Sequence, residues 1–437
     1  MARMLKWYSA NLTKPRKLGG SSTMTNPIAN SDQFAAETAV VAMWQTDRVN
    51  QARAHAAQLF KLAYGCDSPQ EALDSFDEAI DEYVTNYLFK AAASDVAYPR
   101  FVRNFMPAYA WGGRQIPGAR MGGDNPDNCY RLAGIAPGGS YRVTGRAIGK
   151  PPASTTFTLT ANYGTSVTVQ TLDYKQLTLQ DDGNFVITIS DRPTQGSANH
   201  MTTTPKVKFL FVRDSFEDWT SETPLDMHIE RIDPVQARPL AVEQMAERAA
   251  FRLIEEVPLY YWFQRLFSGL PVNSIRPPSN STSVGGLVTQ AGIQGWFRIA
   301  EDEVVLVRYR GAGADYASLE LGDWWFRSID AHRCQSTLTR SQSIPDDDGW
   351  ITCVVARQDP GVANWLDTAG RETVLLFARW QGLPAGRVAG EPEIETRLIK
   401  LAALPQSLLR SQAIGLPARA ASLAARAKAW DRRTKLS

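Results

Sequence analysis

From Gly122 onward the apolar residues of this chain stop recurring every three or four positions and alternate instead, in short β-branched runs punctuated by Gly, Pro, Asn and Asp. A period of two fits a half-buried strand and not a helix, so this change commits most of the chain to antiparallel sheet. Runs at 141–146, 156–159, 166–169, 184–189 and 206–212, closing near 227–230, predict a first sandwich or jelly-roll-like domain. Asp181-Asp182-Gly183-Asn184 reads as a hairpin turn within it. Runs at 295–299, 304–309, 316–321, 350–355 and 373–379 predict a second β-domain.

Ahead of the change the period is helical. Ser31 or Asp32 caps a run carrying Phe34, Val40, Val41, Trp44, Leu59 and Leu62 up to Tyr64-Gly65, and Asp67-Ser68-Pro69 starts another with Leu73, Phe76, Ile80, Tyr83, Val84, Tyr87 and Leu88 on one face. An antiparallel helical pair is expected. A helical insertion over 239–267 follows the first β-domain, with Pro258 expected to kink it and Leu259-Tyr260-Tyr261-Trp262-Phe263 forming an aromatic patch. That patch reads either as packing between two β-domains or as a lid over an apolar ligand. Arg276-Pro277-Pro278-Ser279-Asn280-Ser281-Thr282-Ser283 is a polar linker. From Glu391 the chain is read as helical, with Arg419, Arg426 and Arg433 repeating every seven residues beside Leu416, Leu423 and Trp430. Such a helix clasps its own protein with the arginines in water, or meets a membrane surface or an acidic partner.

The expected class is α+β: two antiparallel β-sandwich or jelly-roll-like domains with an N-terminal helical pair, a helical insertion and C-terminal helices. The divisions are a basic leader (1–31), a helical region (32–120), a first β-domain (121–235), an insertion and linker (236–284), a second β-domain (285–390) and a helical tail (391–437).

Lysine plus arginine number 47 against 45 acidic residues, a net charge of +2 with no global field that would select nucleic acid. Cys66, Cys129, Cys334 and Cys353 have neither metal spacing nor the density of a disulfide scaffold, which points to a reducing cytoplasm. The first residues lack a signal peptide's apolar run, and no window is long enough to span a membrane.

Two stretches concentrate special chemistry: Gly122-Gly123-Asp124-Asn125-Pro126-Asp127-Asn128-Cys129-Tyr130-Arg131, and Asp359-Pro360-Gly361-Val362-Ala363-Asn364-Trp365-Leu366-Asp367-Thr368. They read as two rims of one site. Asp124 and Asp127 suit a hard cation or a general acid and base, while Asx side chains capping their own turn fit the same pattern. Asp330 stands two residues from His332 and is placed to set its tautomer, making a proton shuttle one reading and an ordinary polar group the other. Neither a zinc spacing nor a phosphate loop nor a nucleophile elbow is present, so no cofactor is expected. Twelve tryptophans, with Arg131, Arg327 and Arg333 near the motifs, suit a pocket for a flat apolar molecule bearing an oxygen group.

Asn125-Pro126-Asp127, then Gly322-Asp323-Trp324-Trp325, Asp359-Pro360-Gly361 and Asn364-Trp365-Leu366, resemble bacterial proteins carrying the domain of unknown function numbered 1214. The Asn-Pro-Asp part is also similar to the domain that often precedes it. The resemblance spans roughly 122–382 and implies paired β-sandwich-like domains with helical additions, without implying catalytic residues.

The leading expectation is cofactor-independent acid–base chemistry, a hydrolase, lyase or isomerase acting on an aromatic, terpenoid or steroid-like substrate in bacterial catabolism. Asp124, Asp127 and His332 would move protons, Tyr130, Arg131 and Arg333 would orient a substrate oxygen, and Trp324, Trp325 and Trp365, beside Asn364, would hold its body. The alternatives are a non-catalytic carbohydrate- or lipophile-binding β-sandwich and a structural interaction protein; a homo-oligomer fits any of them.

Overall fold

Helix α1 (Ser31–Trp44) starts one residue earlier than the sequence pattern implies, because the Asn30 side chain accepts from the Asp32 and Gln33 N–H groups at 3.0 Å each. The computed structural model describes residues 27–64, 68–111, 113–163, 167–193, 198–280, 290–384 and 392–434; the basic leader before Pro27 and Cys66 lie outside the described residues. The run read as one helix over 31–64 is two. Gln45 and Thr46 fold back on the Ala42 and Met43 carbonyls, and the Thr46 hydroxyl accepts from Val49 N–H at 3.4 Å to open α2 (Asp47–Tyr64). Beyond Pro69 come α3 (Gln70–Asp74) and α4 (Phe76–Ala92), so four helices replace the expected pair.

The β-region is α+β in the sense expected, and its two domains share one topology. The first has nine strands in chain order: Val102–Asn104, Asn128–Gly134, Tyr141–Arg146, Ser154–Thr160, Thr168–Asp173, Asn184–Ser190, His200–Thr202, Phe209–Ser215 and Asp226–Arg231. The second has Ser274–Ile275, Ala291–Arg298, Glu303–Tyr309, Tyr316–Gly322, Thr337–Thr339, Ile351–Ala356, Trp365–Asp367, Thr373–Gln381 and Ile394–Lys400. In both, strands 1-2-8-4-5 form one sheet and 9-3-6-7 the other. Every pairing is antiparallel except that of strands 6 and 7, which is parallel in each domain.

The likeness extends to side chains. Asn199 accepts from Thr178 N–H and donates to the Thr178 and Val186 carbonyls, while Asn364 does the same with Ile344 and Thr352. The side chain of Gln176 accepts from Asp173 N–H, and that of Gln342 from Thr339 N–H. Asp181-Asp182-Gly183 and Asp347-Asp348-Gly349 form equivalent turns, with the glycines at φ +79° and +77°. These turns are not hairpins, as had been expected at Asp181. Each carries the chain from strand 5 of one sheet to strand 6 of the other.

Both β-domains exceed their expected limits. The first begins at Val102, and the second runs to Lys400, a segment read as helix that instead pairs along Glu303–Tyr309. Between the domains, α5 (Val242–Ser268) continues through Pro258 and packs on α2 and α4. Of its aromatic patch, Tyr260 packs edge-on against Tyr83 at 4.8 Å and Trp262 is exposed, whereas the Tyr261 and Phe263 side chains lie outside the described residues.

The tail comprises α6 (Gln406–Ser411) and α7 (Leu416–Thr434). Two of the three spaced arginines are not in water. Arg419 is buried and donates to Asp359 at 3.0 Å; Arg426 is buried over the Trp219 ring and donates to the Ala331 carbonyl at 2.6 Å; the Arg433 side chain lies outside the described residues. Trp430 packs on Trp219 at 5.5 Å. Ending the chain after Gly415 is therefore expected to cost about 3 kcal/mol or more of stability, read as a lower urea midpoint. An unchanged midpoint would show that the helix merely rests on the surface.

Candidate functional site

The Gly122 motif is a clasp between the two β-domains. Asn125 caps its own turn, accepting from Asp127 N–H at 2.8 Å, and its amide donates to the Tyr316 hydroxyl at 2.7 Å. Asp127 is fully buried and accepts from Trp219 Nε1 at 3.0 Å, the Tyr316 hydroxyl at 2.8 Å and Thr337 Oγ1 at 3.0 Å. Tyr130 accepts from Asn125 N–H at 3.0 Å, and burial pushes its phenol up to about 12. Asp124 accepts from Ser328 N–H at 3.0 Å and Ser328 Oγ at 2.7 Å. Burial pushes its carboxyl up to about 6, against the pull of those bonds and of Arg120.

Beside the clasp runs a buried ionic seam. Glu82, on α4, accepts from Arg120 N–H at 2.9 Å, Arg120 Nε at 2.8 Å and Arg327 Nη1 at 3.0 Å. Arg120 also donates to the Ser328 carbonyl at 3.0 Å and to Asp330, and Arg327 donates to Asp323 at 2.9 Å. Gly118 is required here, since a Cβ would come within 2.7 Å of the Glu82 carboxylate.

Beside the two guanidinium groups lies an aromatic pocket. Phe60 and Tyr64 of α2, Phe76 and Tyr83 of α4, Tyr260 of α5, and Trp324, Trp325 and Phe326 line it together with Met121. Trp324 and Trp325 are tied down by donation to Ser68 Oγ at 3.0 Å and to the Ala72 carbonyl at 2.8 Å. Phe326 holds φ at +61°, a costly conformation for a bulky residue, within the turn that Asp323 organises. The cavity measures about 30 Å³, space for about two waters. An aromatic molecule is larger than this space, so it enters only if lining side chains move.

The remaining candidates lie elsewhere. Arg131 is buried in the first β-domain, paired with Asp214 at 2.5 Å and donating to the Leu225 carbonyl at 2.7 Å. His332 is half-buried and stacks on Trp430 at 5.7 Å; Asp330, expected to orient it, is instead engaged by Arg120. The Arg333 side chain is 74% exposed. Asn364 holds strand 6 to its neighbouring turn, and Trp365 donates to the Ala356 carbonyl at 3.1 Å beneath Arg419. The two ten-residue stretches thus take different partners: the first meets Tyr316, Ser328 and Thr337, the second Ile344, Thr352 and α7. Of the candidates, Asp124, Trp324 and Trp325 converge on one loop, 322–328.

Sequence reasoning passed over Glu82 and Arg120, whereas Tyr83 was read on an apolar helix face and Tyr260 in the aromatic patch taken either as packing or as a lid. Glu82 had a signal, an acid among Ala79, Tyr83 and Tyr87 on an apolar helix face, where an unpaired charge is not tolerated.

Another carboxyl in the interdomain seam gives a pH prediction. Glu217 accepts from Ala317 N–H at 2.9 Å and Ser341 N–H at 2.7 Å, yet burial pushes it up to about 7. A carboxyl raised on folding holds its proton longer in the folded state, so its contribution is complete below about pH 4.5 and is lost as pH rises through 7. Glu217→Gln should therefore flatten the fall in urea midpoint between pH 5 and pH 8, by on the order of 1–3 kcal/mol. Parallel profiles for the two proteins would refute it.

No protein-family profile and no curated protein matches the chain. Among solved structures it is similar to an uncharacterized protein from Burkholderia cenocepacia, at 27% identity and a TM-score of 0.66, over 84% of this chain and 100% of that one. The VPA0106 protein from Vibrio parahaemolyticus aligns at 11% identity and a TM-score of 0.38, over 74% and 99%. Neither description states an activity.

Proposed function

We propose that the protein is a binding protein for a small, mainly apolar, ring-shaped molecule, held in the aromatic pocket where α2, α4 and α5 meet the 322–328 loop. The observation that carries this reading is eight aromatic rings around one cavity, several meeting edge to face, with two arginines beneath them already neutralised by carboxylates. Such walls offer stacking without a charge to desolvate. Asp127, Tyr130 and Arg131 spend their hydrogen bonds on protein partners, which weighs against catalysis by them.

A panel of aromatics, terpenoids and steroids incubated with purified protein, followed by native mass spectrometry, tests the reading. Retention by the wild type and loss in Ala79→Leu, which fills the cavity, is the expected result; no retention from any class would defeat it. One observation favours the acid–base alternative, namely Asp124 pushed up to about 6 beside Ser328 on the same loop. New product masses that vanish in Asp124→Asn would establish that alternative instead.

A further inference from the structure

The duplicated topology gives the first β-domain a connection equivalent to the aromatic pocket's loop. In the second β-domain the connection from strand 4 to strand 5 carries Trp324–Arg327 against the helical layer; in the first, the same connection carries Tyr163 against α2 and α5. There the chain borders an open cleft of about 510 Å³. Its walls are Arg48, Lys208, Arg248 and Arg252, with Glu247 as the one lining carboxylate and Tyr163 and Phe251 as the apolar surfaces.

The charges are unevenly matched. Glu247 pairs with Arg48 at 2.8 Å, and Glu255 pairs with Arg252, which lies over the Tyr163 ring at 4.8 Å. Arg248 donates only to the Ser94 carbonyl and hydroxyl, at 3.4 and 3.2 Å. Among the described residues no carboxylate pairs with Arg248 or with Lys208, so two cations face the cleft without counter-charge. Phe251 is 58% exposed beside them, with the Arg252 guanidinium 5.5 Å from its ring centroid.

We infer that this cleft is a binding site for a small organic oxyanion, a carboxylate or phosphate borne on a flat apolar body. The oxyanion lies between Lys208 and Arg248, a point charge and a planar fork, and the ring lies on Phe251. The inference rests on the cleft's own charges and not on the reading of the aromatic pocket.

Calorimetric titration of the full chain with phenyl phosphate, 2-naphthoate and uncharged 2-naphthol tests it. The expected result is saturable binding of at least one anion, steeply weakened by salt, with none for 2-naphthol. Which anion binds more tightly distinguishes phosphate from carboxylate. Lys208→Ala and Arg248→Ala should each weaken binding about fivefold to tenfold, and Ala79→Leu should leave it unchanged. No saturable binding below about 10 mM, or equal affinity in wild type and Lys208→Glu, would overturn the inference. Lys208 is exposed, so its variants read binding even if Arg248→Ala folds poorly.

Discussion

Glu82→Ala will lower the stability of the folded chain by about 3–5 kcal/mol. Glu82 is the shared acceptor of Arg120 and Arg327, all three buried, and its removal leaves the two guanidinium groups with Asp323, Asp330 and the solvent-exposed Glu78 but without the buried acid between them. The cost comes mainly from the stranded cations. It follows that Arg120→Met added to Glu82→Ala should recover part of the loss, because an apolar side chain of similar length needs no counter-charge. Glu82 belongs to α4 and Arg327 to the second β-domain, so the variant should also loosen the helical layer from that domain and broaden the urea transition. Additive single and double variants would mean that the three groups do not act as a unit.

Asp214→Ala is expected to cost a similar amount, about 3–5 kcal/mol. Arg131 reaches Asp214 on the neighbouring strand of the first β-domain's five-stranded sheet at 2.5 Å, while Thr155 donates to the other Asp214 oxygen at 2.8 Å. Removing the acid leaves an arginine buried beneath Leu225 with one carbonyl partner. Arg131→Met with Asp214→Leu should restore most of the stability, which urea unfolding of the two variants would measure. The same experiment bears on the idea that Arg131 orients a substrate: a double variant that folds and keeps its ligand would rule that role out.

Much of the local structure could be read directly. The period of two marked strands in both β-domains, and Pro69 and the apolar spacing of Phe76, Ile80, Tyr83 and Tyr87 marked the start and face of the second helical stretch. The break at Thr46 had no Gly or Pro to announce it, only a hydroxyl able to cap. The strand Ile394–Lys400 was read as helix because its alternation of half-buried Ile394, Thr396 and Leu398 with exposed Glu395 and Arg397 is short, and its partner, Glu303–Tyr309, is about ninety residues earlier. The repeated Gln, Asp-Asp-Gly and Asn were visible as letters, but their equivalence appears only when both asparagines are seen making the same three bonds.

The candidate site followed the same division. Asn125 capping its own turn is a contact between near neighbours, and residue type and spacing were enough to propose it. That Asp127 meets Tyr316 and Thr337, that Glu82 joins Arg120 to Arg327, and that Arg419 and Arg426 turn inward depend on partners scores or hundreds of residues away. The chain's own pattern of apolar and polar residues determined which segments become helix or strand, since backbone geometry and side-chain period act within a few residues. Only the tertiary structure decided which charges are buried and what each one faces, because the energy of a charge is set by the groups around it in space, and those are brought together by packing.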